Sequence, residues 1–192
     1  MLPRESRPER AGYGRPVQAD SHRRPWLFLD VDGVLIPFGD PRTSAGDRGG
    51  EGAGRSAGGN PLVARISVGI GAALAGLPYE LAWATTWGSE ANGTLTVPLG
   101  LPLLPVVGWP DTSDVEERDI AAGRHWKTRP LVAWAAGRPF AWVDDEITAR
   151  DRSWVADHHP APALLHAIDP ATGLTDADIH HLARWATALD DT

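Results

Sequence analysis

Two aspartates, Asp30 and Asp32, follow directly on the apolar run Leu27-Phe28-Leu29, and Gly33 stands immediately behind them. The run reads as a buried strand that delivers two carboxylates to its C-terminal end before the chain turns sharply. Burying carboxylates is costly unless a cation or hydrogen bonds compensate them. The pair therefore points to a bound metal or to a reaction.

Further polar residues stand where other strands should end. Thr85 and Thr86 close the segment ELAWAT, Asp144 and Asp145 close PFAWVDD, and Lys127 lies near a helix start. Three or four carboxylates on one rim repel each other, and a divalent cation resolves the conflict. An all-oxygen donor set suits Mg²⁺, with Asp30, Asp32, Asp144 and Asp145 as candidate ligands. Lys127 and the threonine hydroxyls then have a phosphoryl group as their natural target, with Thr85 the expected contact and Thr86 the candidate if the register shifts by one. Carboxylate, cation, hydroxyl and ammonium together are the parts of a phosphoryl-transfer site. Lys127 is the only lysine among 18 basic residues. That suits a place where a compact ammonium is needed and a planar guanidinium will not serve.

These residues must be positioned by alternating strands and helices. Strands are expected at 26–30, 80–85, 103–108, 139–144 and 163–168. Ser67 is placed to cap a helix over 68–76, and a short helix is expected around Ser89 to Asn92. Thr128 is placed to cap 129–136, with Pro130 in the first turn and Gly137 just past the end. Thr175 and Asp178 form a capping-box pair ahead of 176–189, where Ile179, Leu182, Trp185, Ala186 and Leu189 make an apolar stripe. The alternation predicts a three-layer α/β fold, a mostly parallel five-stranded sheet with helices on both faces. Pro105 cannot donate to a ladder, so the strand at 103–108 belongs at an edge. Sites in such sheets gather at the C-terminal strand ends, where the polar residues fall.

The chain has 192 residues, 42% of them hydrophobic, enough for one domain with a core. No apolar stretch approaches the roughly 20 residues that span a bilayer. The segment MLPRESRPER lacks the apolar run of a secretory signal. With no cysteine, disulfides, cysteine zinc sites and cysteine nucleophiles are excluded, which fits a cytoplasmic protein. The net charge is −7, but residues 1–24 hold six arginines against three acids, so the remainder carries −10. An acidic body disfavours nonspecific binding to nucleic-acid backbone. Residues 1–24 read as a flexible basic arm, and 39–60, with eight glycines and no large apolar residue, as a mobile loop within a single domain at 25–192.

The ordered motifs resemble those of the haloacid dehalogenase (HAD) superfamily. DVDGV at 30–34 matches its first motif, Thr85 after ELAWA its second, Lys127 its third, and WVDDE at 142–146 its fourth. The segments WATTWGSEAN, HWKTRP and FAWVDDE are similar, more narrowly, to HAD domains associated with RNA-repair proteins. The resemblance implies a Rossmann-like fold and a phosphatase working through an aspartyl-phosphate. It implies Asp30 as nucleophile and Asp32 as acid and base. The Asp32 backbone carbonyl would hold Mg²⁺ with the carboxylates of Asp30 and Asp144, and Asp145 would contact the metal directly or through water. Thr85 and Lys127 would bind the phosphoryl group. An Asp at position 32 fits phosphatases rather than dehalogenases.

Asp30 and Thr85 are separated by 54 residues and Thr85 and Lys127 by 41, which leaves no room for a sizeable cap domain. An open site of this kind admits bulky phosphorylated substrates, nucleic-acid ends among them. Three other readings compete. A phosphorelay receiver places its lysine last, whereas Lys127 precedes the final acidic pair. A nucleic-acid-end phosphatase in RNA repair differs only in substrate. A non-catalytic HAD-fold binding module should have lost a catalytic residue, and none is lost. Trp83, Trp142 and Trp185 read as core, while Trp87 and Trp126 flank the proposed site and His125 precedes Lys127 closely. Glu90 and Asn92 read as solvated, and His158-His159 and His180-His181 as surface residues.

Overall fold

The computed structural model describes residues 24–39, 62–110 and 114–190. The predicted basic arm and glycine-rich loop lie, apart from Arg24 and Gly39, outside the described residues. Four strands and six α-helices alternate among the described residues. In chain order they are β1 (Trp26–Leu29), α1 (Ile70–Ala75), β2 (Glu80–Trp83), α2 (Glu90–Leu99), α3 (Asp114–Ala121), α4 (Thr128–Ala135), β3 (Phe140–Asp144), α5 (Ala149–His158), β4 (Ala163–Ala167) and α6 (Asp176–Asp190). All pairings are parallel, in the order β2-β1-β3-β4.

Side chains alternate across the strands, and each face has its own core. Leu27, Leu29, Trp83, Ala141 and Val143 pack with α1, α2 and α6. Phe28, Ala82, Phe140, Trp142 and Leu165 pack with α4 and α5. Helices thus cover both faces, which is why the strands read as continuous apolar runs. Each large side chain buried here contributes about 1.5–3 kcal/mol. The chain returns through α6, where Tyr79 donates its hydroxyl to the Leu182 carbonyl at 2.8 Å and stacks on Trp185.

The sheet has four strands rather than the expected five. The segment at 103–108 forms only an isolated bridge, Trp83 with Val106. Pro105 interrupts its donors, and Pro102 stands just before it. Asn92 takes over part of the pairing, since its amide donates to the Leu104 carbonyl at 2.8 Å and its Oδ1 accepts the Leu104 N–H at 2.9 Å. Asn92 is therefore a fastening residue and not a solvated one. Its helix, α2, runs ten residues rather than a single turn.

Other boundaries also move. The helix expected over 68–76 starts at Ile70, because Gly69 adopts a left-handed conformation that ends the approach to it, and Ser67 makes no cap. The acidic segment ahead of Lys127 forms α3 from Asp114. Helix α4 begins at Thr128 itself, and the Thr128 hydroxyl serves another partner. The Thr175/Asp178 pair caps α6 reciprocally, as predicted. Helix α5 has a capping box of its own, Thr148 with Asp151. His159 is buried between Phe140 and the Arg138 carbonyl rather than exposed.

Candidate active site

Consecutive strands run outward in opposite directions from β1, so the sheet's topological switch point lies between β1 and β3, where α/β sheets bind ligands. Leu29 pairs with Val143, which brings the next residues, Asp30 and Asp144, side by side at the C-terminal edge. Lys127, immediately before α4, reaches both. Its ammonium donates to Asp30 Oδ2 at 2.6 Å and to Asp144 Oδ2 at 2.9 Å. All three side chains are buried. Asp30 Oδ1 takes the Val31 N–H at 2.7 Å, and Asp144 accepts from Glu146 N at 2.9 Å and from the Trp142 indole at 3.2 Å.

Beyond Asp30 the chain folds into a tight flap. Val31 O accepts the N–H groups of Leu35 and Ile36, and Gly33 N bonds to Ile36 O, all at 2.9 Å. Gly33 has φ +70°, and a Cβ there would stand 2.6 Å from Asp145 Cγ. Only glycine permits both the turn and the approach of Asp145. Asp32 lies at the mouth of this flap, half-buried, with Oδ2 accepting the Trp87 indole N–H at 2.9 Å.

Thr85 lies two residues beyond the end of β2, the strand next to β1, and is fully buried. Its hydroxyl accepts the Trp87 N–H at 3.3 Å and its carbonyl the Trp109 indole N–H at 3.0 Å. Thr86 is exposed. Trp126 packs edge-on against Trp109 and lies 5.7 Å from the Lys127 ammonium.

Charge at this rim is unbalanced. Asp30, Asp144 and Asp145 present carboxylate oxygens within 4.8 Å of one another, against the single ammonium of Lys127. Burial pushes the Asp30 carboxyl up to about 7, with Lys127 opposing and Asp144 reinforcing the rise. Burial and the neighbouring Asp144 push Asp145 upward as well. Lys127 moves up despite its burial, because Asp30 and Asp144 both hold its charge. An oxygen-only cluster with surplus negative charge fits a hard divalent cation such as Mg²⁺. The carboxylate of Asp32 is not part of that cluster.

Sequence reading missed Asp151 and Trp109 and misread Asn92, three residues that build the surroundings. Asp151 is fully buried and accepts His125 N at 2.7 Å, the Thr128 hydroxyl at 2.6 Å, Thr148 N at 2.8 Å and the Thr148 hydroxyl at 2.6 Å. The Thr148-x-x-Asp151 spacing was a legible capping signal. Trp109 and Asn92 carried no such signal, because their partners are distant in the chain.

The parallel α/β sheet, the acidic switch point and the lysine between two strand-end aspartates define the HAD class. The chain belongs to the family described as the HAD domain in Swiss Army Knife RNA repair proteins, whose sequence model matches residues 26–179. No curated protein and no solved structure matches it. Among the described residues no helix is long and apolar enough to cross a membrane.

Proposed function

We propose that the chain is a Mg²⁺-dependent phosphatase that works through an aspartyl-phosphate on Asp30. The observation that carries this reading is the Lys127 ammonium held between Asp30 and Asp144 at 2.6 and 2.9 Å, beside Asp145. Asp30, Asp144 and Asp145 would hold the cation, with the Asp32 carbonyl as a further ligand. Bound there, Mg²⁺ would neutralise the carboxylates and the phosphoryl oxygens.

In the first half-reaction an Asp30 carboxylate oxygen attacks phosphorus and the ester P–O bond breaks. Asp32 gives its proton to the departing oxygen. In the second, Asp32 takes a proton from water, whose oxygen attacks the same phosphorus. Inorganic phosphate leaves and Asp30 is restored. Lys127 and the Thr85 hydroxyl stabilise the transferring group. The Trp87 indole N–H keeps Asp32 oriented towards the leaving group.

The family description favours one substrate class, the phosphorylated end of an RNA strand. The test is a hydrolysis screen with Mg²⁺ on an aryl phosphate, nucleotides, and 5′- and 3′-phosphorylated oligonucleotides. Release of phosphate from an oligonucleotide end, lost with chelator and in Asp30→Asn, supports the reading. Turnover that survives either treatment overturns it.

A further inference from the structure

We propose that Asp151 and His125 are positioning residues that set where the Lys127 ammonium stands. The inference rests on the role given to Lys127 above, but its geometry is independent of any substrate.

Lys127 precedes α4 in a turn with no side-chain cap of its own. Two buried side chains hold that turn instead. His125 Nδ1 accepts the Lys127 backbone N–H at 3.1 Å. With Nδ1 accepting, the ring proton sits on Nε2, which donates to Glu146 Oε2 at 2.9 Å. Glu146 N in turn donates to Asp144. The histidine thus spans from the lysine backbone to the segment carrying the acidic pair.

Asp151 divides its two oxygens between two tasks. Oδ2 takes the Thr148 N–H and hydroxyl and so caps α5, the helix that follows Asp144 and Asp145. Oδ1 takes the His125 N–H and the Thr128 hydroxyl, the residues on either side of the lysine turn. One carboxylate therefore ties the start of α5 to the start of α4. A purely structural cap needs only Oδ2. The two bonds at Oδ1 divert Thr128 from capping its own helix, and their consequence is the placement of Lys127. Neither Asp151 nor His125 touches the reacting atoms in this arrangement. Each acts through Lys127, and an ångström of misplacement at such a group costs up to about a hundredfold in rate.

Lys127 is the only lysine in the chain, so lysine labelled with ¹³C and ¹⁵N reports this one side chain by NMR, in metal-free protein and without turnover. His125→Ala and Asp151→Ala should move the Lys127 signals towards those of free lysine. Both should lower kcat by at least about tenfold with little change in KM. His125→Asn places an acceptor oxygen near the Nδ1 position and should recover most of both signals. His125→Gln, whose polar atoms lie near Nε2, should not.

Thr175→Ala removes the equivalent cap at α6, remote from the site, and calibrates the effect of lost stability alone. Where an alanine variant does not fold, Thr128→Val, which deletes one bond to Asp151, gives the same reading in smaller degree. Wild-type lysine signals in folded variants overturn the proposal, as do losses no larger than those of Thr175→Ala at equal Tm, or a His125→Asn variant as poor as alanine. If the wild-type protein hydrolyses no phosphate ester, the function fails while the NMR arm still decides the positioning.

Discussion

The ammonium of Lys127 lies 2.6 Å from Asp30 Oδ2, a buried pair formed across 97 residues of sequence. The lysine also serves Asp144, so it sits between two acids that a lone salt bridge would not require. Removing one partner of a buried charge pair leaves the others uncompensated. Lys127→Met should therefore abolish hydrolysis, lowering kcat by at least about a thousandfold. Lys127→Arg should restore little, because a planar fork does not fit the ammonium's place. Steady-state kinetics on an aryl phosphate checks both.

Trp87 fixes Asp32 from outside the flap through one indole N–H. Trp87→Phe keeps the ring and deletes that donor. A hydrogen bond of this kind is worth up to about 1.5 kcal/mol, so a fall in kcat of about tenfold is expected, with KM nearly constant. An unchanged kcat would remove Trp87 from the machinery.

Gly33 leaves no space for a side chain beside Asp145, and its φ is left-handed. Gly33→Ala should push Asp145 away from Asp30 and Asp144. The expected result is Mg²⁺ affinity weakened by about tenfold or more, together with a lower Tm. Calorimetric titration of the variant with Mg²⁺ reads the first and thermal melting the second.

Asp151 predicts the acid limb of stability. Burial acts to raise its carboxyl, but the bonds from Thr128, Thr148 and His125 overcome that and hold it below its ordinary 3.8. A carboxyl depressed on folding contributes stability that is complete above its unfolded value and lost as pH falls through the folded one. The Asp151 contribution should be full at pH 5 and above and begin to fall below about pH 4. Asp151→Ala should cost about 3 kcal/mol at pH 7, and a smaller difference from wild type should remain at pH 3. Chemical denaturation at the two pH values measures this.

Much of the site was legible in the chain because its parts are local. An apolar run ending in Asp-x-Asp-Gly declares a strand, two carboxylates and a turn within a few residues, and ELAWAT and FAWVDD repeat the strand and its polar end. The α6 capping box was equally readable, because Thr175 and Asp178 are three residues apart and meet no competitor. Thr128 looked like a cap on the same local grounds. It fails because Asp151, 23 residues later, offers its hydroxyl a buried charged acceptor.

The sequence by itself therefore determined which chemical groups stand at the strand ends and in what order. It did so because strand periodicity, turn residues and charge burial are short-range constraints. Tertiary structure alone decided that β1 and β3 lie side by side and that Lys127 reaches both Asp30 and Asp144. It also decided that Asn92 replaces a fifth strand and that Trp87 and Asp151 hold the site's residues from outside it. Those outcomes depend on strand order and on competition among donors and acceptors distant in the chain, which no local pattern encodes.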